Sequence, residues 1–150
     1  MFDDLRDLYQ EVILDHGRRP RHGSRLAAYD ATARGDNPMC GDRVQVFVRH
    51  DDQGRIAEAG FEARGCAISI ASADLMAETV TGRSNAEARA LATQFRDMAR
   101  TGEAGSEDAA MERLRPLAGV HEFPSRVKCA TLAWHALLAA LDGKGDASSE

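Results

Sequence analysis

Residues 37–50 read NPMCGDRVQVFVRH, a polar turn followed by an alternating segment. Val44, Val46 and Val48 share one face, while the mainly polar other face carries Phe47, and this alternation predicts a half-buried strand over 43–50. A turn at 51–54 leads to a second alternating segment over 55–63, so the two segments are predicted to pair as an antiparallel hairpin. A third strand is predicted over 27–34.

The helical segments lie mostly after this hairpin. Helices are predicted over 3–16, 67–80, 85–100, 107–117 and 125–141 from apolar spacing and from terminal residues. Ser84 and Glu87 have the spacing of a capping box for the third of these helices. Strands in the first half and helices in the second predict an α+β fold. We expect a single domain over 1–150, with a disordered tail at 143–150.

Composition excludes several classes of function. A chain of 150 residues with 43% hydrophobic residues is large enough for its own core, and a net charge of -5 argues against non-specific nucleic-acid binding. No apolar run approaches the roughly 18 residues that span a bilayer, and the acidic start is unlike a signal peptide. A cytoplasmic location is therefore expected. The basic cluster at 18–22 is either a solvated loop or a docking surface for an acidic partner.

Three cysteines, Cys40, Cys66 and Cys129, are the only ones in the chain, and Asp42 lies two residues after the first. Zinc prefers four ligands from Cys, His, Asp or Glu, so this set has the required number. Cys66 and Cys129 are predicted near helix starts, where the helix dipole favours thiolates. Three thiolates and one carboxylate around a divalent cation leave a charge of about -2, and the nearby positive residues that could balance it are Arg64, Arg126 and Lys128.

The residues alone leave alternatives open. Free cysteines are often small core residues, and the long separations lack a Cys-x-x-Cys pair. An aspartate such as Asp42 is by itself more often a turn residue than a ligand, and His121 is a possible ligand that is better explained as an exposed loop histidine. A structural zinc module is less favoured because such sites use mainly Cys and His. A zinc deaminase is disfavoured because its motifs are absent.

Three motifs together resemble the U-type iron–sulfur assembly proteins (the IscU/NifU-like family) and, within them, the SufU branch. They are residues 37–42, residues 65–69 followed by Ala71 and Ser72, and residues 126–130. The resemblance extends from Leu8 to Leu141. Lys128 stands where IscU-like members carry a histidine before the third cysteine, and 85–117 is long enough for the added helical segment of SufU-like members. The resemblance implies a small three-stranded antiparallel sheet packed by helices.

The resemblance also implies a function. Cys40, Asp42, Cys66 and Cys129 are expected to bind Zn²⁺, and Cys40 is expected to accept persulfide sulfur from a SufS-type, PLP-dependent cysteine desulfurase, with Arg126 as charge support. The protein would stimulate that enzyme and supply the downstream iron–sulfur assembly machinery, as a sulfurtransferase-type accessory and not a stand-alone enzyme. The alternative is a scaffold on which an iron–sulfur cluster is assembled and then transferred. No nucleic-acid or membrane partner is expected.

Overall fold

A computed structural model of the protein describes the backbone of residues 2–38, 41–103 and 108–148 and the side chains of most of them. The elements follow in the order α1 (Phe2–Arg18), β1 (Ala31–Asn37), β2 (Asp42–His50), β3 (Ile56–Arg64), α2 (Ala67–Val80), α3 (Asn85–Thr101), α4 (Ala109–Leu114), a 3₁₀ helix (Arg115–Glu122), α5 (Pro124–Leu141) and β4 (Asp146–Ser148). Within these ranges no helix is both long and apolar enough to cross a membrane.

The sheet has four strands in the order β3-β2-β1-β4. The β1–β2 and β2–β3 pairs are antiparallel, as predicted, whereas β4 runs parallel to β1. The prediction of a three-stranded, wholly antiparallel sheet is therefore wrong in strand number and direction. Residues 146–148 lie in the tail that was expected to be disordered, and Ala147 packs against a small alanine cluster beside β1. A three-residue strand has too short a local pattern for prediction from sequence.

The α+β prediction and most helix boundaries are confirmed. Ser84 and Glu87 form the predicted capping box at the start of α3. The predicted helix over 107–117 is wrong at its end, because the α-helix stops at Leu114 and continues as the 3₁₀ helix. Pro116 explains this difference, since it has no N–H for the bond that would continue an α-helix.

The main core lies between one face of the sheet and the helices α2 and α5. Both helices are largely buried, and their inward residues pack with the valines of β2. Phe95 of α3 stacks on Trp134 of α5 with ring centroids 4.7 Å apart. The buried His16 of α1 bonds Asp74 of α2 at 2.5 Å, so a polar pair fixes the first helix to the second.

The opposite face of the sheet is partly covered by the segment between α1 and β1. Phe47 points to this face and is nevertheless fully buried, because Tyr29 packs edge-on against its ring and Arg25 lies over it. The backbone N–H of Phe61 donates to the carbonyl of His22. The strand predicted over 27–34 begins only at Ala31, and the segment before it covers Phe47 instead. Within the basic cluster at 18–22, Arg21 forms an ion pair with Asp15.

His50 at the end of β2 joins two other parts of the fold. Its Nδ1 lies 2.6 Å from Asp30 Oδ1, and its Nε2 lies 2.7 Å from Asn85 Oδ1 at the start of α3. Partial burial disfavours the charged ring, but the bonds to Asp30 and Asn85 and the charge of Asp30 outweigh that effect, so the pKa of His50 is raised above its ordinary 6.5.

We expect this histidine to make stability depend on pH. A raised pKa contributes stability that is complete below pH 6.5 and is lost as the pH rises through the raised value. The free energy of unfolding, measured in urea, should therefore fall more on His50→Gln at pH 6 than at pH 8. The extra loss at pH 6 should be less than about 1 kcal/mol, because the His50–Asp30 pair is partly exposed. An equal loss of unfolding free energy at both pH values would contradict this prediction.

Candidate metal centre

Three of the four predicted ligands come together at one end of the sheet. Asp42 begins β2, Cys66 is the N-cap residue of α2, and Cys129 lies in the second turn of α5. One potential ligand atom from each lies within 4.8 Å of the others. One carboxylate and two sulfur atoms, from segments far apart in the sequence, thus lie close together in the fold.

Asp42 is held by hydrogen bonds to both of its carboxylate oxygens. Oδ1 accepts the backbone N–H of Cys66 at 3.1 Å, and Oδ2 accepts the hydroxyl of Ser69 at 2.8 Å. The side chain is only 2% exposed, so these bonds satisfy a carboxylate that water does not reach freely. Asp42 therefore joins the start of β2 to the first turn of α2.

Gly65 allows the chain to pass close to this carboxylate. A Cβ at position 65 would lie 2.7 Å from Asp42 Cγ and closer still to Oδ1, and real Cβ atoms do not approach other heavy atoms so closely. The backbone of Gly65 has φ +155°. The glycine before Cys66 is thus required by a contact with a residue more than twenty positions earlier.

The two described cysteines differ in exposure. Cys66 is exposed at the mouth of the site, whereas Cys129 is buried, with 5% of its surface accessible. Asn37, at the end of β1, places its amide Nδ2 3.9 Å from Cys129 Sγ. The centre therefore has a buried floor at Cys129 and opens to solvent beside Cys66.

Cys40, the predicted sulfur acceptor, lies outside the described residues. Its neighbours define the loop that carries it: Asn37 and Asp42 are paired across β1 and β2, and the Gly41 N–H donates to the Asn37 carbonyl at 2.9 Å. Covalent geometry alone keeps the Cα of residue 40 within about 7 Å of the Asp42 Cα. The loop thus begins and ends at residues that border the centre.

The basic residues predicted to balance the site lie within a few positions of a candidate ligand in the chain, and their described contacts differ. Arg64 ends β3 and is exposed. Arg126, in the first turn of α5, places its guanidinium 4.5 Å from the centroid of the Phe123 ring, which is itself 45% exposed. His121 is not part of the described metal-ligand group and instead contacts the carbonyl of Ala118.

Ser69 and Gly65 both lie inside the second motif, but neither has a role that its local sequence predicts. Serines in the first turn of a helix and glycines just before a helix are common, so the local sequence does not predict that either residue contacts Asp42. These contacts are visible only in the tertiary structure, where the start of β2 lies beside the start of α2.

The donor set suits zinc. One carboxylate and two thiolates are ligand types that zinc takes at tetrahedral sites, and Cys40 is a fourth donor of the same kind within chain reach. Hydrogen bonds to the carboxylate also match the way outer residues orient metal ligands. Ligation by these four residues stays a prediction.

Comparison with known proteins identifies the family. The NifU-like N-terminal domain matches residues 8–130. The chain belongs to that family. Its three cysteine motifs all lie within the matched region.

Relatives of this NifU-like chain have two kinds of name. The iron–sulfur cluster assembly scaffold protein IscU of Streptococcus pyogenes serotype M1 is 40% identical over 95% of this chain and 88% of its own length. The zinc-dependent sulfurtransferase SufU of Bacillus subtilis is 38% identical over 89% of each chain.

A solved structure supports the same fold. The crystal structure of a candidate iron–sulfur cluster assembly scaffold protein for the SUF system, from Fervidobacterium islandicum, superposes with a TM-score of 0.80 at 30% identity. The match covers 87% of this chain and 94% of that one. The NifU-like fold and the resemblance stated from the motifs are therefore confirmed.

Proposed function

We propose that this protein is a zinc-dependent sulfur acceptor in iron–sulfur cluster assembly, of the SufU type. The observation that carries the proposal is the convergence of Asp42, Cys66 and Cys129, with Cys40 in the adjoining loop. Support comes from the 38% identical sulfurtransferase SufU. Lys128 and the helices α3 and α4 between the second and third cysteines favour the SufU branch.

The ligands would be Cys40, Asp42, Cys66 and Cys129. Zinc bound there would supply a positive charge that keeps the thiols deprotonated at neutral pH. The protein contributes the frame: Cys129 is buried, Cys66 is fixed at the start of α2, and Asp42 is bonded at both oxygens. Cys40 differs because its place in the sequence is between the end of β1 and the start of β2, next to Gly41.

The sulfur transfer that we propose is a thiolate–persulfide exchange. The Cys40 thiolate attacks the terminal sulfur of a persulfide on the desulfurase, and a new S–S bond forms on Cys40. The S–S bond of the donor breaks, and the desulfurase cysteine leaves as a thiolate. No external oxidant or reductant is needed, because the sulfane sulfur keeps its oxidation state and only moves from the desulfurase cysteine to Cys40.

The partner is a PLP-dependent cysteine desulfurase of the SufS type, and the product supplies downstream iron–sulfur assembly. The exposed ring of Phe123 with Arg126 over it stands at the start of the helix that carries Cys129. We assign Arg126 a supporting role as a positive charge for the anionic persulfide. The cytoplasm is the expected location.

Cys40→Ala is expected to abolish persulfide acceptance, because it removes the attacking sulfur and leaves the two described cysteines in place. The protein is incubated with a persulfide-loaded desulfurase and the added sulfur is detected by intact-protein mass spectrometry. Met39→Ala, in the same loop, is the control and should still gain one sulfur. Full acceptance by Cys40→Ala would refute Cys40 as the acceptor.

A second candidate function is supported by the 40% identical scaffold protein IscU. Cysteine thiolates hold iron–sulfur clusters as well as zinc, so the same residues could carry a cluster as cargo. Elemental analysis and colour separate the two functions: a colourless protein with one zinc per chain favours the sulfur acceptor, and a brown protein with iron and sulfide favours the scaffold.

A further inference from the structure

The hydroxyl of Ser69 lies among all three ligand-bearing segments. It is 2.8 Å from Asp42 Oδ2, 3.2 Å from the backbone carbonyl of Cys129 and 3.8 Å from Cys66 Sγ. Ser69 itself is 4% exposed. One side chain in the first turn of α2 therefore contacts the start of β2, its own helix start and the second turn of α5.

The single hydroxyl proton of Ser69 has two acceptors within reach. The carboxylate is closer than the carbonyl and carries charge, and a hydrogen bond to a charged acceptor is shorter and stronger. The proton therefore goes to Asp42 Oδ2, the oxygen that lies 3.8 Å from Cys66 Sγ. This bond determines which way the carboxylate faces relative to the thiol.

Ser72 offers an internal comparison one turn further along α2. Its hydroxyl donates to the carbonyl of Ala130 and accepts the indole N–H of Trp134 at 3.2 Å. Ser72 is fully buried and also links α2 to α5, but none of its described contacts is to Asp42, Cys66 or Cys129. Both serine hydroxyls thus lie against a backbone carbonyl of α5, and of the two only Ser69 also contacts candidate ligands.

We propose that Ser69 is a positioning residue for the metal centre, an inference that rests on the proposed zinc site. Its hydroxyl donates to Asp42 Oδ2 and so orients the carboxylate relative to Cys66, while its Oγ packs against the Cys129 carbonyl. The Asp42 carboxylate would then already be oriented when the ion binds. Loss of an outer hydrogen bond to a ligand typically weakens metal affinity by about 10–100-fold.

The experiment compares Ser69→Ala with Ser72→Ala in the full chain. Co²⁺ is titrated into the metal-free proteins and followed by its thiolate charge-transfer absorbance, and Zn²⁺ affinity is then measured by displacement. Ser69→Ala should raise the Kd for both ions by about 10–100-fold. Ser72→Ala should keep the Kd within about threefold of the wild type while lowering the melting temperature of the metal-free protein by a few degrees.

The outcomes test the positioning role of Ser69, the metal site and the sulfur transfer separately. A wild-type Kd in Ser69→Ala, or an equal loss of affinity in Ser72→Ala, would overturn the positioning role and leave the metal site standing. Absence of the charge-transfer band in the wild type would overturn both. Persulfide acceptance is measured separately, so a protein that binds zinc in the way described but accepts no sulfur would count only against the proposed transfer.

Discussion

Gly65→Ala should lower the melting temperature by roughly 10 °C and weaken metal binding at the same time. The new methyl would lie 2.7 Å from Asp42 Cγ, so the carboxylate must move away from Cys66 N–H and the Ser69 hydroxyl. Overpacking costs about 1–3 kcal/mol, and buried groups left without partners add about 1–3 kcal/mol. Thermal unfolding and zinc titration measure the two effects.

Gly54→Ala is the matched control for this substitution. Gly54 also has a positive φ, +79°, but nothing lies within 4 Å of the position that its Cβ would occupy. Its replacement measures the cost of a positive φ without a steric contact, about 1 kcal/mol, and should leave zinc affinity unchanged. Equal losses for Gly54→Ala and Gly65→Ala would show that the contact with Asp42 is not the cause.

Asp42→Asn should weaken zinc binding by on the order of 100-fold, because a structural zinc site provides about 10–16 kcal/mol over four ligands and a neutral amide replaces one of them. The amide keeps the shape of the side chain and an oxygen for Cys66 N–H. The melting temperature of the metal-free protein should therefore fall only slightly. Isothermal titration and thermal unfolding of the same sample measure both quantities.

This substitution distinguishes the two interpretations of Asp42 that its sequence context allows. If Asp42 is only a turn residue that holds the start of β2 against the start of α2, Asp42→Asn would retain wild-type zinc affinity. If Asp42 is a ligand, Asp42→Asn would lose zinc affinity with little loss of stability. Asp42→Ala is less informative, because it also removes an acceptor from the buried hydroxyl of Ser69.

Local patterns predicted most of the secondary structure. The alternation of β2, the capping box at Ser84 and the apolar spacing of α2 and α5 each involve residues a few positions apart, so they can be detected in a short window. The change from α4 to the 3₁₀ helix was missed although Pro116 is a visible breaker, because apolar spacing continues through Leu117.

Two features could not be predicted from local pattern. β4 forms by pairing with the edge of β1 and packing against the alanine cluster beside it. A strand of three residues is too short to show a periodic pattern in the sequence. Phe47 stands on a mainly polar strand face and is buried because the segment that contains Arg25 and Tyr29 folds over it. Each result depends on a distant segment with no matching local signal.

For the candidate site, the sequence by itself determined the residue types and their family: three cysteines and one aspartate in three ordered motifs. It also placed Cys66 at the start of a helix, as the structure shows. Only the tertiary structure decided how these residues meet. The bonds from Cys66 and Ser69 to Asp42 join residues 24 and 27 positions apart, and the contact of the Ser69 hydroxyl with the Cys129 carbonyl spans 60. Such contacts arise when β2, α2 and α5 pack together, and no periodicity within one element encodes them.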